Sequence, residues 1–109
     1  MEIRVTEEKD SLRLHFCGEL DHHAAKEAMR RAEEILERRL PRDCVLDLSG
    51  LSFMDSSGIA VIARARYRMQ SLSGRIWIEC PSPQVQRVLD AACIDRLVPV
   101  TSGNIGGLR

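Results

Sequence analysis

Asp55-Ser56-Ser57-Gly58 sets a polar knot between two apolar runs, one closing at Met54 and the next opening at Ile59. Hydroxyls beside a carboxylate can act as a nucleophile, as ligands, as a helix cap or as acceptors of a phosphoryl group, and each use needs different neighbours. For nucleophilic catalysis, Asp21 and His22 or His23 would have to complete a Ser-His-Asp triad with Ser56 or Ser57. The spacing argues against it. A nucleophile elbow needs G-x-S-x-G, and centred on Ser56 this chain has Met54 where the first glycine should be. Asp21 is also the sequence neighbour of the histidines, an awkward origin for a carboxylate that must reach the far imidazole nitrogen.

Metal and nucleotide readings are weaker still. Adjacent histidines at a helix start point in different directions, and the residues four positions on, Lys26 and Glu27, offer at most one carboxylate. A zinc site needs three or four convergent ligands. The chain carries no G-x-x-x-x-G-K-S/T loop to grip phosphates. The expectation is a protein with no cofactor, no metal and no catalysis of its own.

A phosphorylation switch fits the knot better. A serine in the first turn of a helix is exposed at the positive end of the helix dipole. A phosphate of about −1.5 to −2 charge placed there can be tolerated by the domain, because free N–H groups meet it. Phosphorylation would then act on the surface offered to a partner rather than on folding. Asp21 and Asp55 already make that rim acidic, so more negative charge would repel an acidic or apolar partner patch. On these four residues alone a simple capping turn remains the better reading.

The chain around the knot has 109 residues, enough for one domain and one core. Lys+Arg and Asp+Glu both number 16, giving a formal net charge of +0; this balance argues against a nucleic-acid partner. No apolar run approaches the roughly 18 residues of a membrane span, and the charged N-terminus lacks a secretory h-region. Cys17, Cys44, Cys80 and Cys93 show no C-x-x-C spacing and read as buried free thiols in a reducing cytoplasm.

Periodicity supplies the elements that must hold the knot. Residues 2–6 and 12–18 alternate around a turn at 8–11, a hairpin with Leu12, Leu14 and Phe16 inward and Arg13 and a solvated His15 outward. From His22 to about Arg39, Ala25, Ala28, Met29, Ala32, Ile35 and Leu36 form a helical stripe, with Asp21 as its cap. Residues 44–49 suit a buried strand. The helix after the knot runs to about Gln70, with Ile59, Ile62, Ala63 and Met69 inward. A strand at 75–80, a helix capped by Ser82-Pro83 and a short strand at 95–100 follow. The order β-β-α-β-α-β-α-β predicts an α/β fold, a mixed and largely parallel sheet of about five strands with helices packed on it. Residues 1–100 form the domain and 101–109 a flexible tail. In such sheets function gathers where strand C-termini meet helix N-termini, here the loops 18–23 and 55–58.

Three stretches carry a family resemblance: Gly18-Glu19-Leu20-Asp21-His22-His23, residues 44–62 and residues 82–94. In order and spacing they resemble the STAS domains of bacterial anti-sigma factor antagonists, the sporulation members most of all. The resemblance implies that Ser57 is phosphorylated by an anti-sigma factor that is itself a serine kinase. It implies that the unphosphorylated protein binds this kinase in its nucleotide-bound form and frees a sporulation sigma factor, and that a dedicated serine phosphatase resets phospho-Ser57. Asp21 matches a partner-binding rim residue. Asp55 and Ser56 match the turn that presents the phosphoserine, and Gly58, Ile59 and Ile62 the start of the adjoining helix. Such proteins are cytoplasmic and monomeric in isolation, with no nucleic-acid or membrane partner. The rival reading within the family is a STAS module of a stress-response partner-switching cascade or of a lipid-transport complex.

Overall fold

The structure is a computed structural model that describes residues 1–101. The predicted order of elements is observed. Strand β1 (Glu2–Glu8) turns at Lys9, which holds a left-handed φ of 56°, into β2 (Ser11–Leu20). Helix α1 (His22–Arg39), β3 (Asp43–Met54), α2 (Ser57–Ser71), β4 (Arg75–Glu79), α3 (Pro83–Ala91), a 3-10 turn (Ile94–Arg96) and β5 (Val100–Thr101) follow. The sheet runs β1-β2-β3-β4-β5. Its first pair is antiparallel and the other three are parallel.

A strand order that never reverses, joined by right-handed crossovers, stacks all the helices on one face of the sheet. Leu12, Leu14, Phe16, Cys44, Leu46, Leu48 and Ile78 point into that face and meet Ala28, Ala32 and Leu36 of α1, Val61, Ile62, Ala65 and Met69 of α2, and Val85 and Leu89 of α3. Arg64 and Arg68 fasten α2 to α1: Arg64 pairs with Glu33 at 2.8 Å, and Arg68 with Glu33 at 3.4 Å and Glu37 at 3.2 Å.

Five details depart from the sequence expectation. Strand β3 continues to Met54 instead of stopping at 49. Its burial changes from a nearly continuous buried run over 44–48 to every third residue, Leu48, Leu51 and Met54, because β3 carries extra residues against β2 after Asp47 and after Leu51; such bulges hide a strand from a period-two reading. The expected strand at 95–100 is instead the end of a 3-10 turn (Ile94–Arg96) followed by irregular chain, with pairing only at Val100–Thr101. In α2 Ile62 and Met69 are buried as expected, but Val61 and Ala65 join them, Ile59 is only half-buried and Ala63 is exposed. Only Cys44 of the four thiols is buried; Cys17 and Cys80 are half-buried and Cys93 is exposed. His15 is not simply solvated. On the face opposite the helices it contacts Thr6 at 3.0 Å and Asp47 at 3.1 Å, beside an ion pair of Arg13 with the buried Glu79 at 2.8 Å. The expected tail lies, beyond Thr101, outside the described residues.

Candidate functional site

Leu20 and Met54, the last residues of β2 and β3, are register partners, so the chain leaves both strands at the same height. Asp21 and Asp55 are the next residues and stand at one rim. The Asp55 N–H donates back to the Leu20 carbonyl at 3.3 Å, closing the gap between the two strand ends.

Each aspartate then starts a helix. Asp21 caps α1 through Oδ1, which accepts the Ala24 N–H at 3.0 Å. Asp55 does more. Its Oδ1 accepts the Ser57 N–H at 2.8 Å and its Oδ2 accepts the His22 N–H at 3.1 Å. One carboxylate therefore ties the start of α2 to the start of α1. The predicted loop at 18–23 reduces to Asp21 alone, because β2 runs through Leu20 and α1 begins at His22.

The two serines take different parts. Ser56 is exposed, has helical backbone (φ −63°, ψ −17°), and makes no side-chain capping bond. Ser57 is half-buried at the first position of α2, and no described residue holds its hydroxyl in a hydrogen bond. The capping role thus falls to Asp55, and the Ser57 Oγ is left available. The nearby N–H groups are less free than expected. Those of Ser57, Gly58 and Ile59 already donate to Asp55 Oδ1, the Asp55 carbonyl and the Ser56 carbonyl. A phosphate on Ser57 would meet the helix dipole, solvent and the Asp55 carboxylate rather than a nest of open donors.

The remaining site residues lie underneath. Gly58 is buried, and a β-carbon there would fall 2.5 Å from the Met54 Cγ. Ile59 is half-buried and Ile62 is only 2% exposed in the core. These residues seat α2 so that Ser57 stands at its outer end. Phe53, unremarked in the sequence, is a large exposed apolar side chain beside Met54, at 39%. Gln84 was also missed: its side chain bonds both backbone polar groups of Met54.

The rings of His22 and His23 meet edge to face with centroids 5.8 Å apart. Both residues are exposed, and among the described residues no hydrogen bond joins either ring to a serine. The triad geometry is not assembled. Among the described residues no group of three or more His, Cys, Asp or Glu side chains could hold a metal ion, and no helix is long and apolar enough to cross a membrane.

A five-stranded mixed sheet with helices on one face and a serine at the rim defines a class of domain. Residues 2–104 match the STAS domain, and the chain belongs to that family. It is 31% identical over 109 residues to a protein of Paenibacillus polymyxa named anti-sigma F factor antagonist, covering 99% of this chain and 92% of that one. Its fold is similar to the anti-sigma factor antagonist SpoIIAA in its unphosphorylated form, with a TM-score of 0.80 at 20% identity over 98% of this chain and 93% of that one. It is likewise similar to the Bacillus cell fate determinant SpoIIAA in the phosphorylated form, with a TM-score of 0.71 at 19% identity, covering 98% and 96% of the two chains.

Proposed function

We propose that this protein is an anti-sigma factor antagonist controlled by phosphorylation of Ser57. Unmodified, it binds an anti-sigma serine kinase in the nucleotide-bound state and thereby releases a sporulation sigma factor in the cytoplasm. Phosphorylated, it loses that binding until a serine phosphatase resets it. The protein is substrate and binding module, with no reaction of its own.

The observation that carries this reading is the division of labour in the knot. Asp55 supplies the cap, so the Ser57 hydroxyl, at the outer end of α2, has no structural bond to lose. The relative named anti-sigma F factor antagonist supplies the partner class. Asp21, Asp55, Ser56 and Ile59 then present or border the contact surface, and Gly58 and Ile62 support it from below. A phosphate adds about −1.5 to −2 charge to a rim that already carries two aspartates, and repulsion of the partner follows without unfolding of the domain.

The test is intact mass after incubation with the cognate anti-sigma kinase and ATP, followed by peptide mapping. One added phosphate is expected on Ser57, absent in Ser57→Ala, with kinase binding lost in step. Tight binding with no phosphate added would make the knot a cap on a constitutive binding module.

A further inference from the structure

Strand β3 outruns its neighbour. Strand β4 pairs with it only from Asp43 to Asp47, because the chain leaves the sheet at Cys80, which holds a left-handed φ of 57°. From Leu48 to Met54, β3 has β2 on one side and, among the described residues, no strand on the other. The open edge reaches its end at Met54, immediately before the Asp55 that caps α2.

At that end a side chain takes the place of the missing strand. The Met54 N–H donates to Gln84 Oε1 at 3.0 Å, and Gln84 Nε2 donates to the Met54 carbonyl at 2.8 Å. A primary amide has one acceptor and one donor at the spacing of a peptide group, so it can satisfy both backbone groups at once. Gln84 is aimed by its own helix. Ser82 caps α3 through its hydroxyl, which accepts the Val85 N–H at 3.3 Å, Pro83 fixes the first turn, and Val85 and Leu89 are buried. The other side of Met54–Asp55 is held by the Asp55 N–H on the Leu20 carbonyl, and the Met54 side chain is fully buried beneath Gly58.

We propose that Gln84 is a positioning residue for the switch serine: its amide clamps the end of β3 and so fixes the turn that presents the Ser57 Oγ to the kinase. The proposal rests on the reading of Ser57 as phosphoacceptor. It makes α3, which contributes no residue to the rim, a determinant of how fast the switch is thrown. Loss of the clamp leaves the partner surface in place while the hydroxyl wanders, so turnover suffers more than binding.

The experiment compares wild type with Gln84→Ala, Gln84→Asn and Gln84→Glu as substrates of the cognate anti-sigma kinase with ATP, at a temperature where each is folded by circular dichroism. Amide hydrogen exchange is followed on the same samples without kinase. In Gln84→Ala the kcat for Ser57 phosphorylation is expected to fall by about 10- to 100-fold with KM within about twofold, since a misplacement near 1 Å can cost up to about 100-fold in rate. Gln84→Asn, one methylene too short to reach, is expected to behave the same. Gln84→Glu keeps an acceptor for the Met54 N–H and is expected to lie between. Exchange at Met54 and Asp55 should quicken while Leu46 and Ile78 stay protected. A wild-type kcat in folded Gln84→Ala and Gln84→Asn overturns the proposal, as does unchanged exchange at Met54. If Gln84→Ala fails to fold, the other two variants decide. If wild type takes up no phosphate, the functional reading fails, while the exchange measurement still decides whether Gln84 fixes the turn.

Discussion

The Asp55 carboxylate accepts the His22 N–H through Oδ2 at 3.1 Å, so the turn that opens α2 is bolted to the residue that opens α1. Its other oxygen holds the Ser57 N–H at 2.8 Å. Asp55→Ala orphans both donors and should cost about 1–2 kcal/mol, the scale of a lost helix cap. Asp55→Asn keeps one oxygen but turns an NH2 toward the second donor, so it recovers at most part of the loss. Urea unfolding of the three proteins checks the order. Equal stability of wild type and Asp55→Ala would show that solvent replaces the carboxylate without cost.

Gly58 is required by close approach. A β-carbon there would lie 2.5 Å from the Met54 Cγ, 2.6 Å from its Sδ and 3.2 Å from the Leu20 Cδ2. Both neighbours are buried, Met54 at 0% and Leu20 at 1%. Overpacking of this kind costs about 1–3 kcal/mol, which exceeds what alanine returns through helix propensity at a first turn. Gly58→Ala should therefore destabilise. Met54→Ala makes room, so the double variant should lose at least ~0.5 kcal/mol less than the two single losses added together. Strict additivity, read from thermal and urea unfolding, would mean that α2 shifts outward instead of meeting Met54.

The contrast between the two ends of β3 shows what could be read from the chain alone. The first half is a nearly continuous buried apolar run with β2 and β4 alongside, and the hairpin and α1 follow regular periods, so the apolar run, the period and the capping residues were enough to place them. The second half buries every third residue because of its bulges against β2, and no local period marks it. The 95–100 stretch failed for a related reason: Ile94 and Val98 are buried four residues apart, a helical spacing, after Cys93 turns the chain with a left-handed φ of 53°. The rim aspartates and the serine were legible from residue type. The Gln84 clamp, the network of Arg13, His15, Asp47 and Glu79, and the grip of Asp55 on His22 all join residues 30 or more positions apart. Such contacts follow from strand register, which a single sequence does not state.

The thiols give a reading of local opening. Cys44 is completely buried, and burial pushes its pKa up to about 12. Burial, with help from Asp47 and Glu79, also raises that of Cys80. Cys93 is exposed. Since the thiolate is the reactive form, Ellman's reagent at pH 8 should modify Cys93 first and Cys44 only at the rate of global unfolding. Peptide mapping of partly labelled protein identifies each site. Early modification of Cys44 would show that the sheet opens locally between β3 and its neighbours.

Asp47 should make the sheet face opposite the helices acid-sensitive. Burial opposes its ionisation, but the Ser49 N–H at 3.0 Å and the charges of His15 and Arg13 outweigh that effect and hold the carboxyl below its ordinary 3.8. A depressed folded pKa contributes stability that is fully present above the unfolded value and is lost as pH falls through the folded one. The loss attributable to Asp47 therefore begins near pH 4 and grows below it. Asp47→Asn cannot ionise, so it should be less stable than wild type at pH 7 yet lose less between pH 4 and pH 2.5. Urea midpoints across that window measure the difference. Parallel decline of the two proteins would assign the acid sensitivity to other carboxylates, and the network around His15 would then be a polar surface with no part in it.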